Sequence, residues 1–337
     1  MSRLAGLAAE LRGHGLNARE DAPFGLMTTY GTGGTAAVMV SATGEPDLVV
    51  IGRAVAAHGS PDVFVLGNGS NTLVSDDGFD GVVVRLSAPP AGDEVFTVSN
   101  GVLATPGSTK LPVLARRSVA AGWCGLEWAV GVPGTVGGAV RMNAGGHGAE
   151  IMDSLVDARI ISLRTGESAD INPGDLGLHF RGSSLRDWHV VVSARFAVGA
   201  PAGHDCAAEL ASIVAWRREH QPGGRNAGSV FVNPAPGPGS SGALIDSCGL
   251  RGRSVGGASV SGRHANFVQA SEGASSRDII DVMTAVQDEV LRQTGVRLRS
   301  ETRLVGFDAG TVSRFSQPYG TDAVPGKGRV AEMLGES

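Results

Sequence analysis

Residues 131–148 read Gly131-Val132-Pro133-Gly134-Thr135-Val136-Gly137-Gly138-Ala139-Val140-Arg141-Met142-Asn143-Ala144-Gly145-Gly146-His147-Gly148. Seven glycines and few large apolar side chains make this a shaped backbone, not a free-standing core element. A second glycine turn precedes it in the chain. Val63 to Leu66 reads as a short buried strand and runs into Gly67-Asn68-Gly69-Ser70-Asn71. A turn of this make-up brings several backbone N–H groups to one concavity, with Ser70 and Asn71 adding side-chain donors, and such a nest binds phosphate oxygens. It is not a dinucleotide fingerprint, because Thr72-Leu73 begins another strand where a third glycine would open a helix. Nor is it a P-loop, since no Gly-Lys-Ser/Thr is present. Taken alone, the turn is as well read as a tight strand connection. The 131–138 loop ends in a helix-compatible stretch whose N–H groups can cap the same anion, and two such loops in one domain point to a diphosphate.

The surrounding chain has 337 residues, enough for two or three domains. Hydrophobic residues make up 42% and charged residues 18%, an ordinary globular balance, whereas the 51 glycines are about twice the usual share of roughly 7%. A net charge of −5 and a pI near 5.9 leave no basic field for nucleic acid or an anionic membrane surface. Cys124, Cys206 and Cys248 are odd in number and widely spaced, with no Cys-x-x-Cys, so the spacing suggests neither a disulfide framework nor a zinc site. The first dozen residues are too polar for a signal peptide, and no run approaches the ~20 apolar residues of a membrane span. The expectation is a soluble, cytoplasmic monomer.

Hydrophobic periodicity predicts helices at Leu4–Leu11 and Pro46–His58, and further helices are predicted at Thr109–Ala121, Ala207–His220 and near Ala243–Cys248. Strands are predicted at Thr35–Val40, Val63–Leu66, Val82–Val84, Val95–Val98, Val102–Thr105, Leu155–Leu163, Val190–Phe196, Ser229–Val232 and Asn266–Gln269. The clearest helix is Ser276–Thr294: capping chemistry opens it, Ile279, Ile280, Met283, Val286, Val290 and Leu291 turn inward, and Gly295 stops it. The Gly-Ala-Pro-Ala-Gly stretch at 199–203 marks a boundary, and beyond Phe307 the chain reads as a loose tail. The class is α+β.

Several strings occur in a recognisable order: Thr28-Thr29-Tyr30, Gly67-Asn68-Gly69-Ser70-Asn71-Thr72-Leu73, the 131–139 loop with Met142-Asn143-Ala144-Gly145, and Phe180-Arg181-Gly182-Ser183. Asn226-Ala227-Gly228-Ser229-Val230-Phe231 with Asn233-Pro234, Leu244-Ile245-Asp246 with Gly249-Leu250-Arg251-Gly252, and His264-Ala265-Asn266-Phe267 follow. In these the chain resembles the UDP-N-acetylenolpyruvoylglucosamine reductase (UDP-N-acetylmuramate dehydrogenase, MurB) family, from residue 28 to Gly306. The resemblance implies an FAD-binding domain of the vanillyl-alcohol-oxidase (PCMH) type in two subdomains, 1–85 and 86–200. A C-terminal α+β substrate-binding domain, 201–307, and a flexible tail, 308–337, complete the chain. It further implies noncovalent FAD held by Gly67, Asn68, Gly69, Ser70, Asn71, Pro133, Gly134, Thr135, Gly137, Gly138, Asn143 and Gly145. NADPH would reduce the flavin, which would pass hydride to the enolpyruvyl double bond of a UDP-amino sugar in peptidoglycan synthesis.

By the same resemblance Arg181, Ser229 and Glu301 match the family's catalytic positions: a cation for the substrate carboxylate, a proton donor to carbon, and an acid that steadies the enolate. Without the resemblance each has a plainer reading, as a surface salt-bridge arginine, a turn serine and an exposed carboxylate. Arg225, Asn233, Arg253, His264 and Asn266 are the substrate-binding candidates, His264 also fitting a structural hydrogen-bonding role. His147 is a weak candidate for flavin attachment, and Trp123 and Trp128 read as packing. The sequence departs from the family at Gly31 (usually Arg), Val232 (usually Lys), Ser300 (usually Pro) and Thr302 (usually Val). Charge for the nucleotide is then expected from Arg225 or Arg253. With tyrosine only at 30 and 319, the family's branch with a UDP-clamping tyrosine on an inserted loop does not fit. These departures motivate a second reading, a related flavin oxidoreductase for another nucleotide sugar or alcohol. A third, a catalytically silent flavin or UDP binder, conflicts with retention of all three catalytic types.

Overall fold

The computed structural model describes residues 3–87, 95–200, 203–234, 239–316 and 328–336. Helix α1 (Ala5–Gly13), strands β1 (Asn17–Ala22) and β2 (Ala36–Ala42), helix α2 (Glu45–Ala57) and strands β3 (Val63–Val65), β4 (Thr72–Val74) and β5 (Phe79–Leu86) come first. Four of these strands form a sheet in the order β1-β2-β5-β3, parallel except for the edge pair β1/β2. The Val82-Val83-Val84 run is fully buried because it is a central strand covered on both faces. Val82 and Val84 join Leu7, Leu11, Leu48 and Ile51 under the two helices, while Val83 joins Phe24, Phe64 and Val305 on the other side.

Next come β6 (Thr97–Ser99), β7 (Val102–Pro106), α3 (Leu111–Ala120), a 3-10 turn (Glu127–Gly131), α4 (Val136–Met142), the short β8 (Gly145–Gly146) and β9 (Ala149–Glu150), and α5 (Ile151–Ser154). They are followed by β10 (Leu155–Ser162), β11 (Ser168–Ile171), β12 (His189–Ala197) and α6 (Cys206–His220). Here an antiparallel sheet of order β11-β10-β12-β7-β6 packs against α3 and α4. The last third holds α7 (Ser241–Ser247), β13 (Ser254–Val255), β14 (Ala258–Val260), β15 (Val268–Ala270), α8 (Ser276–Thr294), β16 (Arg303–Val305), α9 (Ala309–Ser316) and α10 (Val330–Met333). α8 starts where its cap chemistry predicts: the Ser275 hydroxyl accepts from the Asp278 N–H and Asp278 accepts from the Ser275 N–H, both at 3.0 Å. Gly295, at φ +74°, closes it. β16 leaves this region and pairs in parallel with β4.

Four features differ from the sequence reading. Residues 229–232 do not form a strand; only Phe231 and Ser300 make a bridge, because the side chain of Asn266 takes both backbone groups of Phe231. β1 carries charged residues as an edge strand and buries only Ala18 and Ala22, so it lacks an apolar signature. Cys124 and Cys206 form a disulfide, with 5.8 Å between Cα atoms and a sequence separation of 82. Packing of α6 against the 3-10 turn brings them together, which spacing alone does not reveal. The segment after Phe307 is not loose in its described parts: Phe315 is buried beside Phe231, and Val330 and Leu334 enter the core of the second sheet. Residues 317–327, with Tyr319, lie outside the described residues.

The tail is fastened by Glu336, whose Oε1 accepts from Ser162 Oγ (2.5 Å), Trp188 Nε1 (2.8 Å) and His189 Nε2 (2.9 Å). His189 is fully buried, and its Nδ1 accepts the Arg186 N–H, which assigns the remaining proton to Nε2. Glu336→Ala leaves these donors without their acceptor and is expected to cost about 1–3 kcal/mol, read as a lower melting temperature by calorimetry. An unchanged melting temperature would detach the tail from the fold.

Candidate active site

The two glycine turns face each other across a cleft of about 470 Å³. Their approach is close: a Cβ on Gly67 would stand 2.5 Å from Thr135 Oγ1, and one on Gly69 would stand 2.6 Å from the Met27 carbonyl. Only glycine fits either place. Asn68 Nδ2 donates to the Pro133 carbonyl at 2.8 Å and locks the two turns together. The backbone N–H groups of Asn68, Gly69, Ser70 and Asn71, and that of Thr135, donate to no group among the described residues, although their residues line the cleft. Unclaimed donors on facing turns are what an anionic diphosphate needs. Thr135 also caps α4, accepting from the Gly138 N–H at 3.3 Å. A second cavity of about 120 Å³ shares Gly67, Asn68, Thr135, Gly138 and Arg141 with the cleft and adds Arg85 and Lys110. The combined space and its donors fit an elongated cofactor with a diphosphate at its middle.

Arg181, Ser229 and Glu301 line the same cleft. Arg181 sits in a tight turn closed by paired bonds between His179 and Gly182, and its φ of +59° is a left-handed conformation rare for a side-chain-bearing residue. Asn143, buried at the end of α4, spans to this turn: its Nδ2 donates to the His179 carbonyl and its Oδ1 accepts the Met152 N–H. Arg181 Nε lies 3.2 Å from Glu301 Oε1, and Nη2 donates to the Gly145 carbonyl at 3.1 Å. Ser229 and Glu301 are neighbours because their segments run side by side, the Glu301 N–H donating to the Val230 carbonyl at 2.7 Å. Burial pushes the Glu301 carboxyl up to about 7 against the opposing pull of Arg181 and Arg299.

Of the other candidate residues, Gly67 to Asn71, Pro133 to Thr135, Gly138, Gly145, Asn233 and Asn266 line the cleft. Gly137 lines the rear cavity, and Asn143 serves the Arg181 turn from beneath. Asn266 is committed to the backbone: besides its two bonds to Phe231, its own carbonyl accepts the Val230 N–H. Arg225, Arg253 and His264 are outside the cleft lining. Arg225 instead lies beside Gly31, where a Cβ would come within 3.8 Å of its Nε, and so fills space at the position of that departure. Besides Arg181, the cations lining the cleft are Arg141, Arg217 and Arg303, which the sequence reading did not single out. Arg141 and Arg303 share Asp187 at 2.6 and 2.7 Å, and burial with the nearby Arg303 charge lowers Arg141 to about 10. Arg217 donates to Gln221, one turn on, at the end of α6. The signal available for these three was position alone: each lies within a few residues of a loop or motif already marked. His147 packs edge-on against Trp216.

Facing turns with unclaimed N–H donors on this α+β scaffold, beside a guanidinium and a carboxyl of raised pKa, suit an enzyme that holds a diphosphate-bearing cofactor. An FAD binding domain family matches residues 36–172, and the C-terminal domain of UDP-N-acetylenolpyruvoylglucosamine reductase matches residues 220–305. The UDP-N-acetylenolpyruvoylglucosamine reductase of Gloeobacter violaceus is 40% identical over 83% of this chain and 94% of its own, and that of Synechococcus sp. (strain RCC307) is 37% identical over 88% and 96%. The crystal structure of the reductase from Thermus caldophilus superimposes with a TM-score of 0.72 at 29% identity, over 86% of this chain and 98% of that one. The chain belongs to the UDP-N-acetylenolpyruvoylglucosamine reductase family.

Asn266→Ala removes two side-chain bonds that hold the segment carrying Ser229. The expected cost is about 1–3 kcal/mol in chemical denaturation, with FAD retained because the glycine turns are untouched. Loss of FAD would show that the clamp also supports the cofactor cleft.

Proposed function

We propose that this chain reduces UDP-N-acetylglucosamine enolpyruvate to UDP-N-acetylmuramate with electrons from NADPH, a step of peptidoglycan synthesis. The observation that carries this reading is the meeting of Arg181, Ser229 and Glu301 at one end of the cofactor cleft. The two glycine turns, Gly67 to Asn71 and Pro133 to Thr135, would hold FAD, whose chemistry, with NADPH as the source of electrons, would supply the hydride. When hydride adds to the outer enolpyruvyl carbon, the electron pair of the double bond moves onto the inner carbon and its carboxylate. Arg181 holds that carboxylate and offsets the charge as it develops. Glu301 in its acid form hydrogen-bonds the same enolate, for which its raised pKa fits it. Ser229 gives its proton to the inner carbon and regains one from solvent. One hydride and one proton saturate the double bond, and one NADPH is oxidised.

The test is anaerobic oxidation of NADPH by the FAD-loaded protein with and without the enolpyruvyl ether. Continued oxidation that depends on the ether supports the proposal; a reduced flavin that the ether leaves reduced refutes it. Ser229→Ala is expected to be reduced by NADPH yet to lose flavin reoxidation by about 10²–10⁴-fold. Because the acid form of Glu301 is populated below about 7, reoxidation is expected to fall as pH rises through that value. In Glu301→Gln this limb should vanish.

A further inference from the structure

Arg181 has a second carboxylate beside it. Glu150 Oε2 lies 3.8 Å from Arg181 Nη1, and both side chains are about one-fifth to one-quarter exposed, at 26% and 19%. With Glu301 at Nε and the Gly145 carbonyl at Nη2, each nitrogen of the guanidinium has a protein partner. Glu150 is held firmly. It stands at the N-cap of α5, where Asp153 accepts the Glu150 N–H at 2.8 Å. Its strand pairs with Gly145, where a Cβ would stand 2.5 Å from the Glu150 Cβ. Glycine at 145 therefore leaves room for the Glu150 side chain on the same hairpin whose carbonyl receives Arg181.

We infer that Glu150 is a positioning residue: the resident counter-ion of Arg181, which orients the guanidinium and offsets its charge so that Glu301 need not. The inference rests on the proposed function for its catalytic meaning, but its geometry stands apart from that reading. A guanidinium 3.2 Å from a single carboxyl favours the ionised form of that carboxyl. A second anion on the guanidinium's far side weakens this pull and preserves the acid form of Glu301. The other charged or titratable groups around the pair are Arg299 on the segment of Glu301, His179 in the turn of Arg181, and Asp153 after Glu150. Arg141 and Arg303, bridged by Asp187, and Arg217 line the same cleft. All of these are unchanged by substitution at 150.

The experiment is a carbon-13 NMR titration of the side-chain carboxyls in the FAD-loaded protein, with the Glu301 signal assigned from its loss in Glu301→Gln. Glu150→Gln and Glu150→Asn are both expected to move the Glu301 midpoint down by about half a unit to one unit. Glu150→Asp, which keeps the charge, should restore most of it. Asparagine is a good cap, so a role confined to capping α5 predicts an unchanged midpoint in Glu150→Asn, and that result would overturn the inference. The measurement needs no substrate. The pH limb of flavin reoxidation, followed in the same variants, should move with the midpoint; failure of the ether to react in the wild-type protein would count against the proposed function alone.

Discussion

The cleft depends on three residue pairs. Arg303, Leu304 and Val305 run in parallel beside Thr72, Leu73 and Val74, joining the last third of the chain to the strand that leaves the first glycine turn. The registration continues past the strand ends: the Arg303 N–H donates to the Asn71 carbonyl, and Asn71 Nδ2 donates to the Glu301 carbonyl at 2.9 Å. Asn71, the last residue of the first glycine turn, is thereby fixed to Glu301. A ladder this short between such distant residues is weak alone, since loop closure opposes it. It is reinforced by Thr29 Oγ1 to the Asn226 carbonyl, Thr32 Oγ1 to the Ala274 carbonyl, and Asp76 accepting two N–H groups at the start of α8.

Around that joint the polar groups are spent on positioning. Asn143 ties the helix after the second glycine turn to the turn of Arg181, and Asn266 ties the serine segment to its neighbour; each uses both ends of its amide on main chain or on atoms next to it. The left-handed backbone of Arg181 costs about 1–2 kcal/mol, which the paired His179–Gly182 bonds and the contacts of its guanidinium offset. Tyr30 is fully buried with Ala227, Val230 and Phe231, and α9 adds Phe315 behind them. The reactive end of the cleft is thus braced from the N-terminal string, the C-terminal helix and the second sheet.

What the sequence made legible follows from how local each signal is. The span of α8 is written in its own cap, apolar face and stop glycine, and the buried valines of β5 are written in their run. The glycine turns are visible in composition, but one turn alone reads equally as a strand connection and only the pair points to an anion; Arg181, Ser229 and Glu301 line one cleft although no local signal joins them. What was illegible is relational. Asn266 looked like a ligand for substrate because a side-chain amide bound to backbone leaves no mark in sequence. Arg225 was expected at the nucleotide, yet its place beside Gly31 depends on how two distant loops meet. Arg217 gave no periodic cue, since α6 buries little beyond Cys206 and Ile213. Docking of the tail joins buried Val330 and Leu334 with the Glu336 carboxylate, partners that lie far away in sequence.

The bond between Cys124 and Cys206 also divides the chain into a closed ring and two open arms. Inside the ring lie the second glycine turn, Asn143, Glu150 and Arg181; outside it are the first glycine turn on one arm and Ser229 and Glu301 on the other. Among the described residues no cross-link holds the guanidinium to the serine or the glutamate that share its cleft; only the main chain joins them. Even when the chain is unfolded, the ring keeps the second glycine turn and Arg181 within one loop. Assembly of the site is therefore an encounter of three topologically separate pieces, and a thiol reductant changes the number of constraints on that encounter without touching any residue that lines the cleft.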